Sequence, residues 1–334
     1  MLSTLLVVLP IFALVFAGWL ARRIGVLGAA ATTELNRFVV FLALPALLFD
    51  VTAHAHWAAL WKPGFIGAFG LSSLAVFAFT VLIQRGAGRP LADAALDGLN
   101  AGYANTGFMG FPLALVAFGP EALAPTTVAV ILTVCAVFAV AIVLIETGLR
   151  RAVPAGGQGG GQGGGQGDRE ASPRVPIWLA VGRSLIRNPL LVAPALGALV
   201  PSLGLAVPAP VETFLKLLGG AASPCALVAL GLFLAQKRRS RGGQDKDAHR
   251  RVAALLVGLK LAAHPLLAYG LGRYVFGLPP LLLHTAVLMA ALPTGTGPFM
   301  LAEFYRREAD LTATVVLVST VLAVVTVSGY LATL

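Results

Sequence analysis

Long apolar stretches alternate with short polar segments along the whole chain. Most of them reach the roughly 20 residues that a helix needs to cross the hydrocarbon core of a bilayer. The stretches lie at 2–21, 36–54, 64–84, 94–118, 123–149, 177–200, 209–235, 252–275, 281–304 and 311–333. The pattern therefore predicts an all-α integral membrane protein with ten transmembrane helices.

Composition supports this prediction. The 334 residues are 58% hydrophobic and 11% charged, whereas a soluble domain carries about 25% charged residues. The net charge is +10, but the basic residues occur in short runs between apolar stretches. Such runs set the orientation of a membrane protein, and no basic face with interleaved aromatic residues indicates nucleic-acid binding.

The distribution of basic residues also predicts an orientation. Arg22 and Arg23 follow the first apolar stretch and no basic residue precedes it, whereas a secretory signal carries its charge first. With the N-terminus outside, most of the 24 lysines and arginines fall in cytoplasmic loops, as expected for a membrane protein. We expect a multi-pass protein of the cell inner membrane with both termini extracytoplasmic.

A glycine-rich segment divides the chain. Residues 155–167 read AGGQGGGQGGGQG, a composition typical of a flexible linker. We expect a first five-helix repeat at 1–150, a cytoplasmic linker at 151–175 and a second repeat at 176–334. Five helices per half place the halves in opposite orientations, which is the inverted repeat of many secondary transporters.

The fourth and ninth predicted helices are both interrupted. They carry NTGFMGFPLALVAFG (105–119) and PTGTGPFMLAEFY (293–305). Glycine and proline at matching positions of two halves indicate a transport site. The alternative is that these residues only kink the helices, since both are common in membrane helices.

Three segments resemble one family. LNRFVVFLALPALLF (35–49), ANTGFMGFPL (104–113) and ALPTGTGPFMLAEFY (291–305) are similar to segments of the auxin efflux carrier family, which includes plant PIN carriers and bacterial malate- and malonate-type carriers. The resemblance implies two inverted five-helix repeats whose fourth and ninth helices break and cross near the midplane. It also implies a scaffold bundle, a mobile transport bundle and a homodimer.

The resemblance also implies which residues form the substrate site. Two departures occur: Ala104 stands where plant members have proline, and the third predicted helix lacks the charged pair of the plant carriers. The motif positions that carry over are Asn105, Thr106, Gly107, Pro112, Pro293, Thr294, Gly295, Thr296, Gly297 and Pro298.

The chemistry of these segments points to an anion. The second half of a broken helix begins with unpaired N–H groups and a partial positive charge, which attract a carboxylate. Asn105, Thr106, Thr294 and Thr296 add side-chain hydrogen bonds. For Asn105 the alternative is a hydrogen bond that only holds two helices together.

Asp50 and Lys260 are ionisable residues in or near predicted helices, where such residues indicate function by default. Asp50 would titrate in proton coupling or extend to the membrane interface. Lys260 would neutralise an anion in the pathway, or its long stem would reach the inner interface.

The sequence therefore predicts a secondary transporter that moves a small organic anion by alternating access. A channel, or a carrier for a neutral or amino-acid-like solute, is the alternative. Coupling to protons, coupling to sodium and uniport all stay open, and the basic loop 237–251 is a candidate contact for membrane lipid. The chain has no P-loop, HExxH or GxSxG motif, so we expect no enzyme activity, cofactor or metal site.

Overall fold

The computed structural model describes residues 2–28, 30–54, 60–152, 188–235 and 243–334. These residues form helices, and no strand occurs among them. The helices are α1 (Leu2–Arg23), α2 (Ala31–Ala53), α3 (Pro63–Gly86), α4 (Leu91–Gly102), α5 (Thr106–Phe118), α6 (Pro120–Arg150), α7 (Pro189–Ser202), α8 (Ala209–Leu234), α9 (Asp247–Val275), α10 (Pro280–Ala291), α11 (Gly297–Phe304) and α12 (Ala309–Ala332).

Six of these helices are long and apolar enough to cross a membrane: α2, α3, α6, α8, α9 and α12. Helices α5, α7 and α10 are shorter and also apolar. The all-helical membrane architecture is therefore confirmed. The predicted glycine-rich linker lies almost entirely outside the described residues, as does the beginning of the sixth predicted helix.

Both predicted interruptions are present. The fourth predicted helix consists of α4 and α5, which are separated at Tyr103–Asn105. The ninth consists of α10 and α11, separated at Leu292–Thr296. Backbone groups freed at such breaks need polar partners when they lie inside a membrane protein.

The helices pack into two groups. The first group contains α1, α2, α7 and α8, in which α1 packs on α8 and α7 packs on α2. The second group contains α3, α4, α5, α6, α9, α10, α11 and α12. Helix α5 also touches α1, and α11 also touches α2, so the two broken helices lie where the groups meet.

Each group is closely packed internally. In the first group, a Cβ atom added to Gly231 would lie 2.0 Å from the carbonyl oxygen of Val15. In the second, a Cβ atom added to Gly102 would lie 2.9 Å from the carbonyl oxygen of Ser73. Among the described glycines, every such approach below 3.4 Å joins helices or adjoining loops of the same group. Small residues thus let backbones approach within each group.

Candidate functional site

The two helix breaks are bonded to each other. Ala104 and Thr294 form an isolated antiparallel bridge. The backbone N–H of Asn105 donates to the carbonyl of Pro293 at 2.9 Å, and that of Gly295 donates to the carbonyl of Tyr103 at 3.3 Å. The extended segments therefore satisfy part of each other's backbone hydrogen bonding, as a buried break requires.

Side chains satisfy further backbone groups beside the breaks. The hydroxyl of Thr294 donates to the carbonyl of Asn100 at 2.7 Å, near the end of α4. The backbone N–H of Thr294 donates to the hydroxyl of Ser319 at 3.1 Å. Lys260 Nζ donates to the carbonyl of Ala290, near the end of α10, at 2.7 Å. The first and third bonds occupy carbonyls in the last turn of α4 and of α10, which have no partner within their own helix.

A cavity of about 270 Å³ lies between the two helix groups. Its size is close to the lower limit for small-molecule sites. Residues on its wall include Leu44, Leu47, Val51, Gly219, Ser223 and Pro224 of the first group, and Tyr103, Asn105, Gly107, Phe108, Thr296 and Gly297 of the second. No charged side chain occurs among the described residues that line it.

The glycines at the breaks have different structural roles. A Cβ atom added to Gly107 would meet nothing within 4 Å, so its backbone is open to the cavity. A Cβ atom on Gly295 or Gly297 would lie 2.7 or 2.8 Å from the ring of Tyr103. That ring also packs on Phe138, with centroids 5.6 Å apart. Gly295 and Gly297 therefore make room for Tyr103, an aromatic wall residue that the motifs alone did not reveal.

Four of the ten predicted substrate-site residues line the cavity: Asn105, Gly107, Thr296 and Gly297. The other six do not line it. Thr106 is fully buried, and Pro293, Thr294 and Gly295 join the breaks. Pro298 is the second residue of α11, where a missing N–H costs little, and Pro112 follows the π-helical turn Thr106–Gly110 within α5.

Asp50 lies outside the cavity wall, near the end of α2. Its Oδ1 is 3.0 Å from His54 Nδ1, and His54 Nε2 is 3.8 Å from Glu212 Oε1. Glu212 in turn pairs with Lys216. Asp50 thus belongs to a charged cluster at one end of the first group.

Lys260 is also outside the cavity wall. It is fully buried, so its stem does not carry the amine to an interface. Its Nζ is 2.9 Å from His264 Nδ1, and His264 Nε2 is 3.0 Å from Ser73 Oγ. Lys260 is therefore hydrogen-bonded to polar atoms of the second helix group.

An ionic cluster that the motifs did not reveal joins α4 to the loop after α11. Arg89 Nε is 2.8 Å from Asp97 Oδ2, and its Nη2 is 3.2 Å from Glu308 Oε2. Arg307 donates through Nη2 to Asp93 at 2.7 Å, and this bond raises the pKa of Arg307. Asp93 and Asp97 are four residues apart and therefore lie on one face of α4. This spacing is the sequence signal from which the cluster could have been predicted.

Comparison with known proteins identifies relatives of this chain. A family model described as "Membrane transport protein" matches residues 4–331. The chain is 30% identical to the "Putative malonate transporter" of Rhizobium meliloti (strain 1021), over 97% of this chain and 93% of that protein. It is 24% identical to "Auxin efflux carrier component 8" of Arabidopsis thaliana, over 96% and 94%. The chain belongs to the auxin efflux carrier family.

Family membership and the apolar helices together make this auxin efflux carrier family member a multi-pass membrane transporter. A protein from Methanothermobacter thermautotrophicus, named "Uncharacterized transporter", is 27% identical over 95% of this chain and 94% of its own length. The names of these relatives describe transport, which supports a role other than catalysis.

Proposed function

We propose that this auxin efflux carrier family member is a secondary transporter that moves a small carboxylate across the inner membrane by alternating access. One observation carries the proposal. The cavity lies between two separately packed helix groups, and the bonded helix breaks form part of its wall. A substrate in this cavity would contact both groups and the freed backbone of the second group.

An anion suits this cavity. The segments after the two breaks begin at Thr106 and Gly297, beside Asn105 and Thr296 on the wall. Helix N-termini attract negative charge, and the amide of Asn105 can donate a hydrogen bond. No lining carboxylate among the described residues opposes the anion. The malonate in the name of the rhizobial relative makes a small dicarboxylate the first substrate to test.

The contacts between the two helix groups are compatible with movement of one group relative to the other. Phe233 of α8 packs edge-on against Phe299 of α11 with centroids 5.3 Å apart, and Phe41 of α2 packs similarly against Phe304 at 5.6 Å. Apolar contacts are non-directional, so these two aromatic contacts can shift without breaking a hydrogen bond. In this proposal the first group is the scaffold and the second carries the substrate.

Several finer points belong to the same proposal. The chain would span the membrane ten times as two inverted five-helix repeats, with both termini outside the cytoplasm. The arginine-rich helix ends, such as Arg22 and Arg23 of α1, would face the cytoplasm. Two copies would associate as a homodimer in contact with membrane lipid.

Counterflow in proteoliposomes tests the proposal against a channel. Vesicles loaded with unlabelled malonate should take up labelled malonate transiently above equilibrium, because a carrier exchanges substrate through a saturable site. Through a channel, the uptake of labelled malonate would not depend on the malonate inside the vesicles. Competition by malonamide as strong as that by malonate would instead favour a carrier for neutral solutes.

A further inference from the structure

Lys260 is a fully buried lysine without a carboxylate partner among the described residues. It lies in the π-helical turn Leu259–Ala263 within α9, and such turns occur often at functional sites. Its Nζ contacts two groups, the carbonyl of Ala290 at 2.7 Å and His264 Nδ1 at 2.9 Å. A buried amine in this position is expensive unless it is hydrogen-bonded or neutral.

The hydrogen bonds continue from Lys260 to α3, which packs against the other broken helix. His264 Nε2 is 3.0 Å from Ser73 Oγ, and Ser73 Oγ donates to the carbonyl of Phe69 at 2.9 Å. The backbone of Ser73 lies directly against Gly102. The hydrogen bonds therefore run from Ala290, near the end of α10, to Ser73 and Phe69 of α3, beside the end of α4. The ends of α10 and α4 both precede a break, and both carry the partial negative charge of a helix C-terminus.

Counting hydrogens indicates the state of the amine. A neutral amine has two hydrogens, and the structure offers two acceptors, the Ala290 carbonyl and His264 Nδ1. His264 then carries its own hydrogen on Nε2 and donates it to Ser73, an assignment that follows from the network. An ammonium group would have a third hydrogen without an acceptor among the described residues. The network is thus complete with Lys260 neutral.

Other ionisable groups on the surrounding helices have partners of their own. The helices packed around this part of α9 are α3, α4, α10 and α12. Asp93 and Asp97 of α4 pair with Arg307 and Arg89, His284 of α10 bonds Tyr330 of α12, and Arg85 of α3 bonds the carbonyl of Arg89. Asp310 lies at the first turn of α12.

We propose that Lys260 is the proton-binding site of this transporter, and that its amine takes up one proton from water when the anion binds. This inference rests on the proposed function. The proton adds to the free electron pair of Nζ, no bond in the protein breaks, and the charge of the protein rises by one. Substrate and proton would then cross together.

The link between proton and anion is electrostatic. Ala290 is six residues from Thr296 on the cavity wall, so even an extended segment spans at most about 20 Å. A positive charge in a dry interior acts over such distances more strongly than in water. Because coupling is reciprocal, a proton that favours the anion is itself favoured by the anion.

The pH dependence of malonate binding tests this inference on the purified full-length protein. Between about pH 7 and pH 9 both carboxylates of malonate are ionised, so a change in Kd reports on the protein. We expect the wild-type Kd to rise by up to about tenfold per pH unit. In Lys260→Met the Kd should not change with pH. Lys216→Met removes an exposed lysine of α8 and should keep the wild-type slope.

A second measurement does not depend on a variant. Malonate added to the weakly buffered wild-type protein should take up protons, up to about one per bound anion, as a pH indicator records. Malonate binding without proton uptake, or a wild-type Kd that does not change with pH, would overturn the inference and leave the proposed function intact. A pH slope that persists in Lys260→Met would also overturn it. Absence of malonate binding at every pH would count against the proposed function itself.

Discussion

Asn105 donates its backbone N–H to the backbone carbonyl of Pro293 at 2.9 Å. This bond joins the two broken helices without using the side chain of Asn105, which lies on the cavity wall. Its backbone holds the breaks together, and in the proposed function its amide binds the substrate.

Replacing Asn105 with alanine should separate these roles. The backbone bond to Pro293 remains, so we expect the variant to fold with thermal stability close to wild type. A hydrogen bond to a charged ligand contributes about 1.5–3 kcal/mol, so affinity for the anion should fall roughly ten- to a hundredfold. Equilibrium binding of labelled malonate measures the loss.

Asn105→Asp is the matched variant, because it keeps the size of the side chain and adds a negative charge. It should bind the anion more weakly than Asn105→Ala. Wild-type affinity in both variants would remove the Asn105 side chain from the site.

Gly107 and Gly295 should respond differently to alanine. The methyl group of Gly107→Ala has free space, so stability should change little while the smaller cavity alters malonate affinity. The methyl group of Gly295→Ala would approach the Tyr103 ring to 2.7 Å. Such overpacking costs about 1–3 kcal/mol, which thermal unfolding in detergent detects.

Tyr103→Leu provides the control for this pair. Combined with Gly295→Ala, the smaller side chain should restore part of the lost stability. Equal stability of the two single glycine variants would show that Tyr103 does not fill the space beside Gly295.

The ion pair of the partly exposed Arg89 with the buried Asp97 should matter for stability. Asp97 is fully buried, and loss of its partner leaves an unpaired charge, which typically costs about 3–5 kcal/mol. Arg89→Gln should therefore lower the thermal stability strongly. Adding Asp97→Asn removes the orphaned charge and should recover part of it.

Arg37→Gln is the control for the Arg89 variant. Its exposed pair with Glu34 has both side chains 65% accessible, and pairs of this kind contribute about 0–1 kcal/mol. Similar melting temperatures for Arg37→Gln and Arg89→Gln would contradict the structural role of the cluster.

Close backbone packing of α1 on α8 should make Gly231 intolerant of substitution. The added methyl group of Gly231→Ala would lie 2.0 Å from the Val15 carbonyl oxygen, which forces the helices apart. We expect a clear fall in the thermal stability of the detergent-solubilised protein. Gly329→Ala in α12 meets nothing within 4 Å and should be neutral or slightly stabilising, since alanine favours helix.

Much of the fold could be predicted because the signals are local. Long apolar runs mark the helices, and the glycines and prolines near 105 and 293 mark the two breaks. These are properties of neighbouring residues. The observed bounds of α3, Pro63–Gly86, differ from the predicted 64–84 by one or two residues, because an uninterrupted apolar run has clear ends.

The contacts between distant residues could not be predicted in the same way. Arg307 bonds Asp93 and His264 contacts Ser73, although each pair is far apart in the chain. No local pattern specifies such a partner. The position of Tyr103 against Gly295 has the same origin, since the two breaks come together only in the folded protein.

The most direct test of the central claim is the thermal shift of the purified protein with malonate, malate and the neutral analogue malonamide. A ligand at a hundred times its Kd stabilises the folded state by about 2.7 kcal/mol. The structure predicts a higher melting temperature with at least one of the two acids, little change with malonamide, and a smaller shift in Asn105→Ala. A shift with malonamide but with neither acid would contradict an anion site at the helix breaks.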